Sequence, residues 1–391
     1  MMRRTLLCSL LLLCTAQSAA QDPAVRSRPD LQADLQAKLD ALHAAGDFPG
    51  VSLGYVLADG TTGALCSGYA DLEKKEKLTP RHRLLAGSIG KTFVAAVVLQ
   101  LVEEEKLSLD DKAEKWLGGE PWYPRLPNAG AITVRSLMNH TAGLEEYFEV
   151  PAFQQRFPVD PDKTWTPEEL LAPLLDRKPL FEVGRGWSYA DSNYILLGMI
   201  AEKASGEKLF DLIQRRLLQP LGLERTLPSD RRVIADLATG DHRLPAPFGF
   251  RGATLVDGKF VMNPQLEWAG GGLASTPQDL AKWAKLLYEG NVFKKSETLE
   301  AMLDAVDASG GRGGGRGSSY GLGVQIRAAP GGKSYGHGGW FPGYLSEMEY
   351  FPEQKIAIAV QFNTDGARDI KKGLRTLIAE VAQRILAEPA K

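Results

Sequence analysis

The residues best suited to chemistry in this chain are Ser88 and Lys91, which stand three positions apart at the start of a long apolar run. If that run is a helix, the spacing places both side chains on one face of its first turn, within reach of each other. The amine can then take the hydroxyl proton, and the unpaired N–H groups of the same turn favour negative charge nearby. The spacing therefore predicts an activated serine nucleophile.

The elements that must position this pair follow from the apolar patterning of the chain. Strand-like runs occur early and return late, and helical spacing of apolar residues dominates between them. This order predicts one sheet assembled from both chain ends, with a helical lobe inserted, an architecture of α/β plus all-α type. The predicted strands are 51–57, 64–70, 320–326, 345–351 and 356–362, and the predicted helices include stretches within 31–42, 93–101, 194–205, 279–288 and 374–385.

The same patterning predicts the domain boundaries. An α/β lobe is expected to comprise about 21–88 and 318–391, and a helical lobe about 89–308. The glycine-rich stretch 309–317 invites comparison with a phosphate-binding loop, but no strand precedes it and no Gly-Lys-Ser/Thr closes it. It is better interpreted as a flexible connector.

The first twenty residues have the three parts of a secretory signal peptide. Arg3 and Arg4 precede the apolar run 6–13, and small residues follow up to Ala20. Cleavage after Ala20 would release a mature chain of residues 21–391 into a secreted or periplasmic location. The apolar run is too short to span a bilayer, and no later segment is apolar enough, so no stable membrane span is expected after cleavage.

Composition excludes several classes of partner and cofactor. The formal net charge is −2 at pH 7, which does not favour nucleic acid or an anionic membrane as a partner. Cys66 is the only cysteine beyond the predicted signal peptide, so no internal disulfide is expected. The five histidines lack the spacing of metal ligands, and we expect no metal and no cofactor.

Three motifs in order carry a family resemblance. They are the stretches 88–91 (Ser-Ile-Gly-Lys), 189–191 (Tyr-Ala-Asp) and 337–339 (His-Gly-Gly). Together they resemble the ordered motifs of the serine beta-lactamase-related family, which gathers class C beta-lactamases, D-alanyl-D-alanine carboxypeptidases, D-aminopeptidases and family VIII esterases. The resemblance covers nearly all of the predicted mature chain, and the supporting stretches are 107–111, 137–144 and 270–276.

The resemblance implies both a fold and a set of roles. It implies a beta-lactamase/transpeptidase-like fold with an antiparallel sheet, and an acyl-enzyme formed on Ser88 without a cofactor. Lys91, its pKa lowered by partial burial, would accept a proton, and Tyr189 would relay that proton to the leaving group. The backbone N–H groups of Ser88 and Trp340 would form the oxyanion hole.

Two departures from the family pattern bear on substrate binding. Asp191 stands where penicillin-recognising members usually have asparagine, and it is interpreted as a site contact, as a helix N-cap, or as both. His337 replaces a permanent cation with a group that titrates near neutral pH, which should weaken binding of a substrate carboxylate. Gly338 and Gly339 would let the strand approach the substrate, and Tyr147 is expected to border the cleft.

The sequence therefore predicts a secreted serine hydrolase that acts on an ester or amide of a small molecule or peptide, as an esterase or peptidase. A beta-lactamase or D-alanyl-D-alanine carboxypeptidase is the alternative within the same chemistry. A non-catalytic sensor of cell wall or ligand is the alternative from another class. The complete set of Ser88, Lys91 and Tyr189 argues against the sensor.

Overall fold

The computed structural model describes residues 28–156, 160–244, 248–329, 331–366, 370 and 373–387. The predicted signal peptide, residues 1–20, lies outside these residues. Among the helices described, none combines the length and the apolar character needed to cross a membrane.

The helices include one that is mostly apolar and buried on most of its sides. This is α2, in which eleven of fourteen residues are buried, and a helix of that kind belongs in a protein core. The helices are α1 (Arg28–Ala45), α2 (Gly90–Glu103), α3 (Glu114–Leu117), α4 (Val134–Met138), α5 (Pro151–Gln154), α6 (Pro167–Leu171), α7 (Asp191–Ser205), α8 (Leu209–Ile213), α9 (Pro277–Tyr288), α10 (Ser296–Leu303) and α11 (Leu374–Leu386).

Among the residues that the structure describes, the strands form one large antiparallel sheet and three small ones. In chain order they are β1 (Gly50–Val56), β2 (Thr62–Asp71), β3 (Glu76–Lys77), β4 (Leu84–Leu85), β5 (Leu227–Pro228), β6 (Asp241–His242), β7 (Gly252–Ala253), β8 (Leu255–Val256), β9 (Lys259–Phe260), β10 (Leu273–Ser275), β11 (Val306–Asp307), β12 (Ser319–Tyr320), β13 (Gln325–Ala329), β14 (Gly332–Phe341), β15 (Tyr344–Phe351) and β16 (Ile356–Phe362). Within the described residues the large sheet has the order β11-β12-β13-β14-β15-β16-β1-β2-β3.

The centre of the large sheet joins the two ends of the chain. β1 pairs with β16, and every residue of both strands is buried. Side chains such as Leu53 and Val360 pack with α1 and α11 on one face, and α9 covers the other. Gly54 allows α9 to come close, because a Cβ at this position would lie 2.3 Å from the carbonyl oxygen of Pro277.

These observations confirm the predicted fold class, with two local differences. The run predicted as a strand at 320–326 is split into β12 and β13, because Gly321 N–H bonds to the Val324 carbonyl and Gly323 has φ +80. This tight turn interrupts strand pairing. In addition, α9 packs on the large sheet, although it falls within the range assigned to the helical lobe.

Candidate active site

Ser88 lies in a short 3₁₀ turn, Gly87–Ile89, that leads directly into α2. The turn lies against β14, and a Cβ on Gly87, whose φ is +55, would be 2.6 Å from the Trp340 nitrogen. Only glycine allows this approach without strain. The backbone of the serine turn therefore meets the backbone of Trp340, the juxtaposition that the predicted oxyanion hole requires.

Lys91 lies directly behind Ser88 and is fully buried. Its ammonium donates to Ser88 Oγ at 3.0 Å, to Asp191 Oδ1 at 2.5 Å and to the Gly270 carbonyl. Burial alone would lower the pKa of Lys91, but the Asp191 carboxylate and, to a lesser degree, Tyr189 outweigh it and raise the pKa. The prediction of a lowered pKa for Lys91 is therefore wrong, because local spacing does not show the pairing with Asp191, one hundred positions away.

Asp191 is the first residue of α7, and it contacts the site. The N-cap of this helix is Ala190, whose own side chain makes no capping hydrogen bond. Of the two interpretations left open for Asp191, the N-cap is wrong. Its carboxylate is paired with Lys91 within the site, and its contact with a substrate stays a prediction.

Tyr189 lies beside this pair, with Lys91 Nζ 4.9 Å from the centroid of its ring. Its hydroxyl is buried and has no hydrogen-bond partner among the described residues. Burial raises the pKa of Tyr189 to about 12, although the Lys91 cation opposes the shift. The structure therefore brings Ser88, Lys91 and Tyr189 together, as predicted.

His337 is buried within the sheet, so its imidazole is not free to bind a charged group of the substrate. Its Nε2 bonds to the Tyr320 hydroxyl at 2.8 Å, and its Nδ1 lies 2.6 Å from the Gly338 carbonyl. Burial and the Lys91 charge lower the pKa of His337 to about 3. The expectation that this ring would become charged near neutral pH is wrong, because the sequence could not show the packing of Tyr320 against it.

The strand after His337 forms one wall of the site. β13 pairs with β14 only as far as Gly336, so beyond that point β14 pairs with β15 alone. Gly339 fits tightly against the serine turn, because an added Cβ would be 2.0 Å from the Ala86 carbonyl oxygen. Gly338, Gly339 and Trp340 line the larger of two cavities that meet at Ser88.

The two cavities have volumes of about 790 Å³ and about 390 Å³, and Ser88, Tyr189 and Trp340 line both. Tyr147 borders the smaller cavity, as predicted, and its hydroxyl donates to the Leu266 carbonyl at 3.1 Å. The walls of the smaller cavity combine acidic and aromatic side chains. Its carboxylates are Glu146, Glu149, Asp191 and Glu267, its aromatic residues are Tyr147, Phe148, Tyr189, Phe248, Trp340 and Phe341, and Arg312 also lines it.

Three of these carboxylates, Glu146, Glu149 and Glu267, were missed by sequence reasoning, and two of the three are buried. Glu146 is buried, and its Oε2 accepts the Asp191 N–H at 2.7 Å. Glu267 Oε2 accepts the Gly272 N–H at 3.0 Å. Burial, reinforced by the Asp191 charge, raises the pKa of Glu146 and raises that of Glu267 to about 8. Their positions beside the motifs 137–144 and 270–276 were the only available signal.

Replacing Glu267 with glutamine is expected to reduce the loss of stability that occurs as pH rises from about 4.5 to about 8. Because the folded protein holds this proton up to about pH 8, against 4.5 for an ordinary glutamate, stability should fall as pH rises through that window. One pKa unit corresponds to about 1.4 kcal/mol. Between pH 5 and pH 9, the unfolding free energy of the wild type should therefore fall by at least about 1.4 kcal/mol more than that of Glu267→Gln.

The measurement is the melting temperature of the wild type and of Glu267→Gln between pH 5 and pH 9. Glu168→Gln, which replaces an exposed carboxylate of α6, is the control and should follow the wild type. Parallel curves for Glu267→Gln and the wild type would contradict the assignment of a proton to Glu267 at neutral pH.

Comparison with known proteins decides the family. The profile of the beta-lactamase family matches residues 35–383. The chain belongs to the beta-lactamase family. This confirms the predicted family, and the solved structures below confirm the predicted fold.

Beta-lactamase family members with solved structures align with almost the whole chain. The D-amino acid amidase of Ochrobactrum anthropi SV3 complexed with D-phenylalanine has a TM-score of 0.77 and 27% identity, covering 91% of this chain and 99% of that one. A D-stereospecific amidohydrolase from Streptomyces sp. has a TM-score of 0.73 and 28% identity, covering 87% and 97%.

Two curated beta-lactamase family relatives are longer than the matched region. The D-aminopeptidase of Brucella anthropi is 26% identical over 306 residues, which are 76% of this chain and 53% of that protein. Penicillin-binding protein 4* of Bacillus subtilis strain 168 is 26% identical over 307 residues, 74% of this chain and 63% of that protein. The chain thus spans about half to two thirds of the length of these relatives. Aminopeptidase, amidase and amidohydrolase are names of hydrolases, in agreement with the predicted class.

Proposed function

We propose that this protein is a serine hydrolase that cleaves the amide bond of small D-amino acid amides and peptides with a free amino group, through an acyl-enzyme on Ser88. The observation that carries the proposal is the acidic and aromatic cavity beside that serine. The D-aminopeptidase and D-amino acid amidase among the relatives support the substrate class and its configuration.

The charges of the smaller cavity favour a substrate ammonium group. Asp191 is neutralised by Lys91, and Glu149 by Arg312. Glu146 and Glu267 remain as buried carboxyl groups, and burial raises the pKa of both, to about 8 for Glu267. Arg312 Nη1 lies 3.6 Å from Glu146 Oε2, but Glu146 Oε1 is buried without a hydrogen-bond partner among the described residues. A substrate ammonium group in the smaller cavity would favour the ionised form of these two carboxyl groups, and the resulting carboxylates would stabilise the ammonium group.

The size and walls of the cavity favour a compact acyl group. Its volume of about 390 Å³ is near the lower end of the range for small-molecule sites. Phe148, Phe248 and Trp340 provide aromatic surface on which an apolar amino acid side chain can pack. The acyl part of the substrate, with its amine, is therefore assigned to this cavity and the leaving group to the larger one.

The proposed reaction uses Lys91 as a permanent cation. Ser88 Oγ bonds to the carbonyl carbon, and the negative charge on the carbonyl oxygen is stabilised by the N–H groups of Ser88 and Trp340. Tyr189 takes the proton of Ser88 as it gives its own to the leaving nitrogen, so the C–N bond breaks with the amine neutral. Lys91 stabilises negative charge on Ser88 Oγ and on the Tyr189 oxygen. In the second step water adds to the ester carbonyl carbon, and Tyr189 takes a proton from the water as it gives its own to Ser88 Oγ, so the ester C–O bond breaks and the acid is released.

The two alternatives have less support. A beta-lactamase or D-alanyl-D-alanine carboxypeptidase must bind a substrate carboxylate, and the neutral, buried His337 provides no cation for it. A non-catalytic sensor would not need the contact of 3.0 Å between Lys91 and Ser88 or the adjacent Tyr189.

The experiment that tests the proposal compares D-alanine amide with N-acetyl-D-alanine amide, which has the same scissile bond but no ammonium group. We expect kcat/KM to be at least about tenfold higher for the free amine, because only its ammonium group can donate charge-assisted hydrogen bonds to the buried carboxyl groups of Glu146 and Glu267. Glu146→Gln should remove most of this preference.

L-alanine amide and a chromogenic cephalosporin complete the panel. Both should be hydrolysed more slowly than D-alanine amide. Equal rates for the free and acetylated amides would contradict the ammonium site, and rapid cephalosporin hydrolysis would favour the beta-lactamase alternative. Hydrolysis of short acyl esters alone would favour an esterase.

Export belongs to the same proposal. Arg3, Arg4 and the apolar run 6–13 support a signal peptide that is removed after Ala20. Amino-terminal sequencing of protein recovered outside the cytoplasm should then begin at Gln21.

A further inference from the structure

Arg312 lies in the glycine-rich stretch 309–317 and contacts the candidate catalytic tyrosine twice. The N–H of Tyr189 donates to the Arg312 carbonyl at 3.0 Å. In return, Arg312 Nη1 donates to the Tyr189 carbonyl at 2.7 Å. Both backbone polar groups of Tyr189 are thus bonded to one residue.

The rest of the guanidinium group binds carboxylates at the edge of the smaller cavity. Nε and Nη2 donate to the two oxygens of Glu149 at 2.9 and 2.6 Å. Nη1 lies 3.6 Å from Glu146 Oε2. The planar fork of arginine is suited to such two-point contacts. Arg312 therefore connects Tyr189 to both glutamates.

The glycines allow this stretch to lie directly on the site. A Cβ on Gly313, whose φ is +77, would be 2.8 Å from the Cβ of Tyr189. A Cβ on Gly311 would be 2.1 Å from the Trp187 carbonyl oxygen. Gly313 lines both cavities, so the stretch forms part of the partition between them.

Tyr189 depends on such contacts because it precedes α7 and lies in no helix or strand. Its neighbours are held by His140, which accepts the Ser188 N–H through its carbonyl at 3.1 Å and the Ala190 N–H through Nδ1 at 3.3 Å. Arg312 supplies the two hydrogen bonds to the backbone of Tyr189 itself. A substitution of the Arg312 side chain would leave the Tyr189 N–H bonded to the carbonyl of residue 312 but would remove the donor to the Tyr189 carbonyl.

We propose that Arg312 is a positioning residue, which fixes the backbone of Tyr189 so that its hydroxyl reaches Ser88 and Lys91. This inference rests on the role proposed for Tyr189. The effect is exerted through the direct bonds to Tyr189. The contact with Glu149 is a partly exposed ion pair, and pairs of that kind contribute little by themselves.

The test compares Arg312→Gln and Arg312→Lys with Arg125→Gln. Arg125 makes the same two-point contact with an exposed carboxylate, Asp176, and neither residue lines the two cavities. We expect kcat for D-alanine amide to fall at least tenfold in Arg312→Gln. Arg312→Lys should fall less, because it can still donate one bond, and Arg125→Gln should stay within twofold of the wild type.

A second readout does not depend on the substrate. The rate at which a fluorophosphonate labels Ser88 should fall with kcat in the Arg312 variants, because labelling needs the same removal of the Ser88 proton. Guanidinium chloride at concentrations below denaturation should partly restore both rates in Arg312→Ala but not change those of Arg125→Ala. Glu149→Gln should change kcat less than Arg312→Gln does.

The outcomes separate this inference from the proposed function. If the wild type is labelled at Ser88 but hydrolyses no amino acid amide, the substrate proposal fails and the labelling rates still test Arg312. Labelling and kcat within twofold of the wild type in folded Arg312→Gln would overturn the inference. If Arg312→Gln does not fold, Arg312→Lys together with guanidinium rescue decides, and the absence of any rescue would overturn it.

Discussion

Replacing Ser88 with alanine is expected to lower turnover by at least about four orders of magnitude and to abolish covalent labelling. The nucleophile forms the bond that defines the acyl-enzyme, so its loss leaves only binding and the oxyanion hole to accelerate the reaction. The measurement is kcat for D-alanine amide, together with mass mapping of the fluorophosphonate adduct to the peptide that holds Ser88.

Ser319 provides the control for this prediction. It lies in the stretch 317–321, which fits the Gly-x-Ser-x-Gly pattern of another class of serine hydrolase but leads into a turn and strand. Ser319→Ala should still be labelled. Labelling that persists in Ser88→Ala and disappears in Ser319→Ala would show that the nucleophile is Ser319 and not Ser88.

Lys91→Ala and Tyr189→Phe are each expected to lower kcat by about two to four orders of magnitude, and the double variant should be little worse than the poorer single one. The three side chains meet in one buried cluster, and losses from residues that act as a unit do not add. The measurement is a double-mutant cycle on kcat.

Tyr194→Phe is the matched control for the tyrosine. Its hydroxyl is also buried and donates to the Met138 carbonyl at 3.0 Å, and Lys91 lies 5.4 Å from its ring centroid. Loss of this hydroxyl should affect stability more than turnover. Full additivity of the Lys91 and Tyr189 effects would show that the two residues act independently and would contradict the relay.

The parts of the site that were predictable are those encoded by local spacing. The contact between Ser88 and Lys91 follows from helical geometry, and it is present. The two predictions that were wrong concern pKa values that depend on residues far away in the sequence. The pKa of Lys91 is raised, against the effect of burial, by Asp191, one hundred positions away, and that of His337 is lowered by burial and by the Lys91 charge. Local patterns report neither kind of contact.

The same distinction applies to the fold. β1, β15 and β16 have strong apolar runs, and their predicted bounds agree with the structure within one residue. The run at 320–326 was equally apolar, but the turn at Gly321 and Gly323 overrides it. The position of Arg312 at the site could not be predicted for a related reason. A glycine-rich stretch has the same sequence pattern whether it joins two lobes or lines a site.

The pairing of the two chain ends determines when this protein can acquire activity during synthesis. Val51 pairs with Phe362, and the backbone of Trp340 completes the turn at Gly87, so nearly the whole polypeptide must leave the ribosome before either contact forms. Closing so long a loop is slow, because its entropy must be overcome before the contacts stabilise it. A nascent chain that already contains Ser88 and Lys91 therefore has neither the pairing of β1 with β16 nor the proposed oxyanion hole. It stays inactive until its last strands have been synthesised.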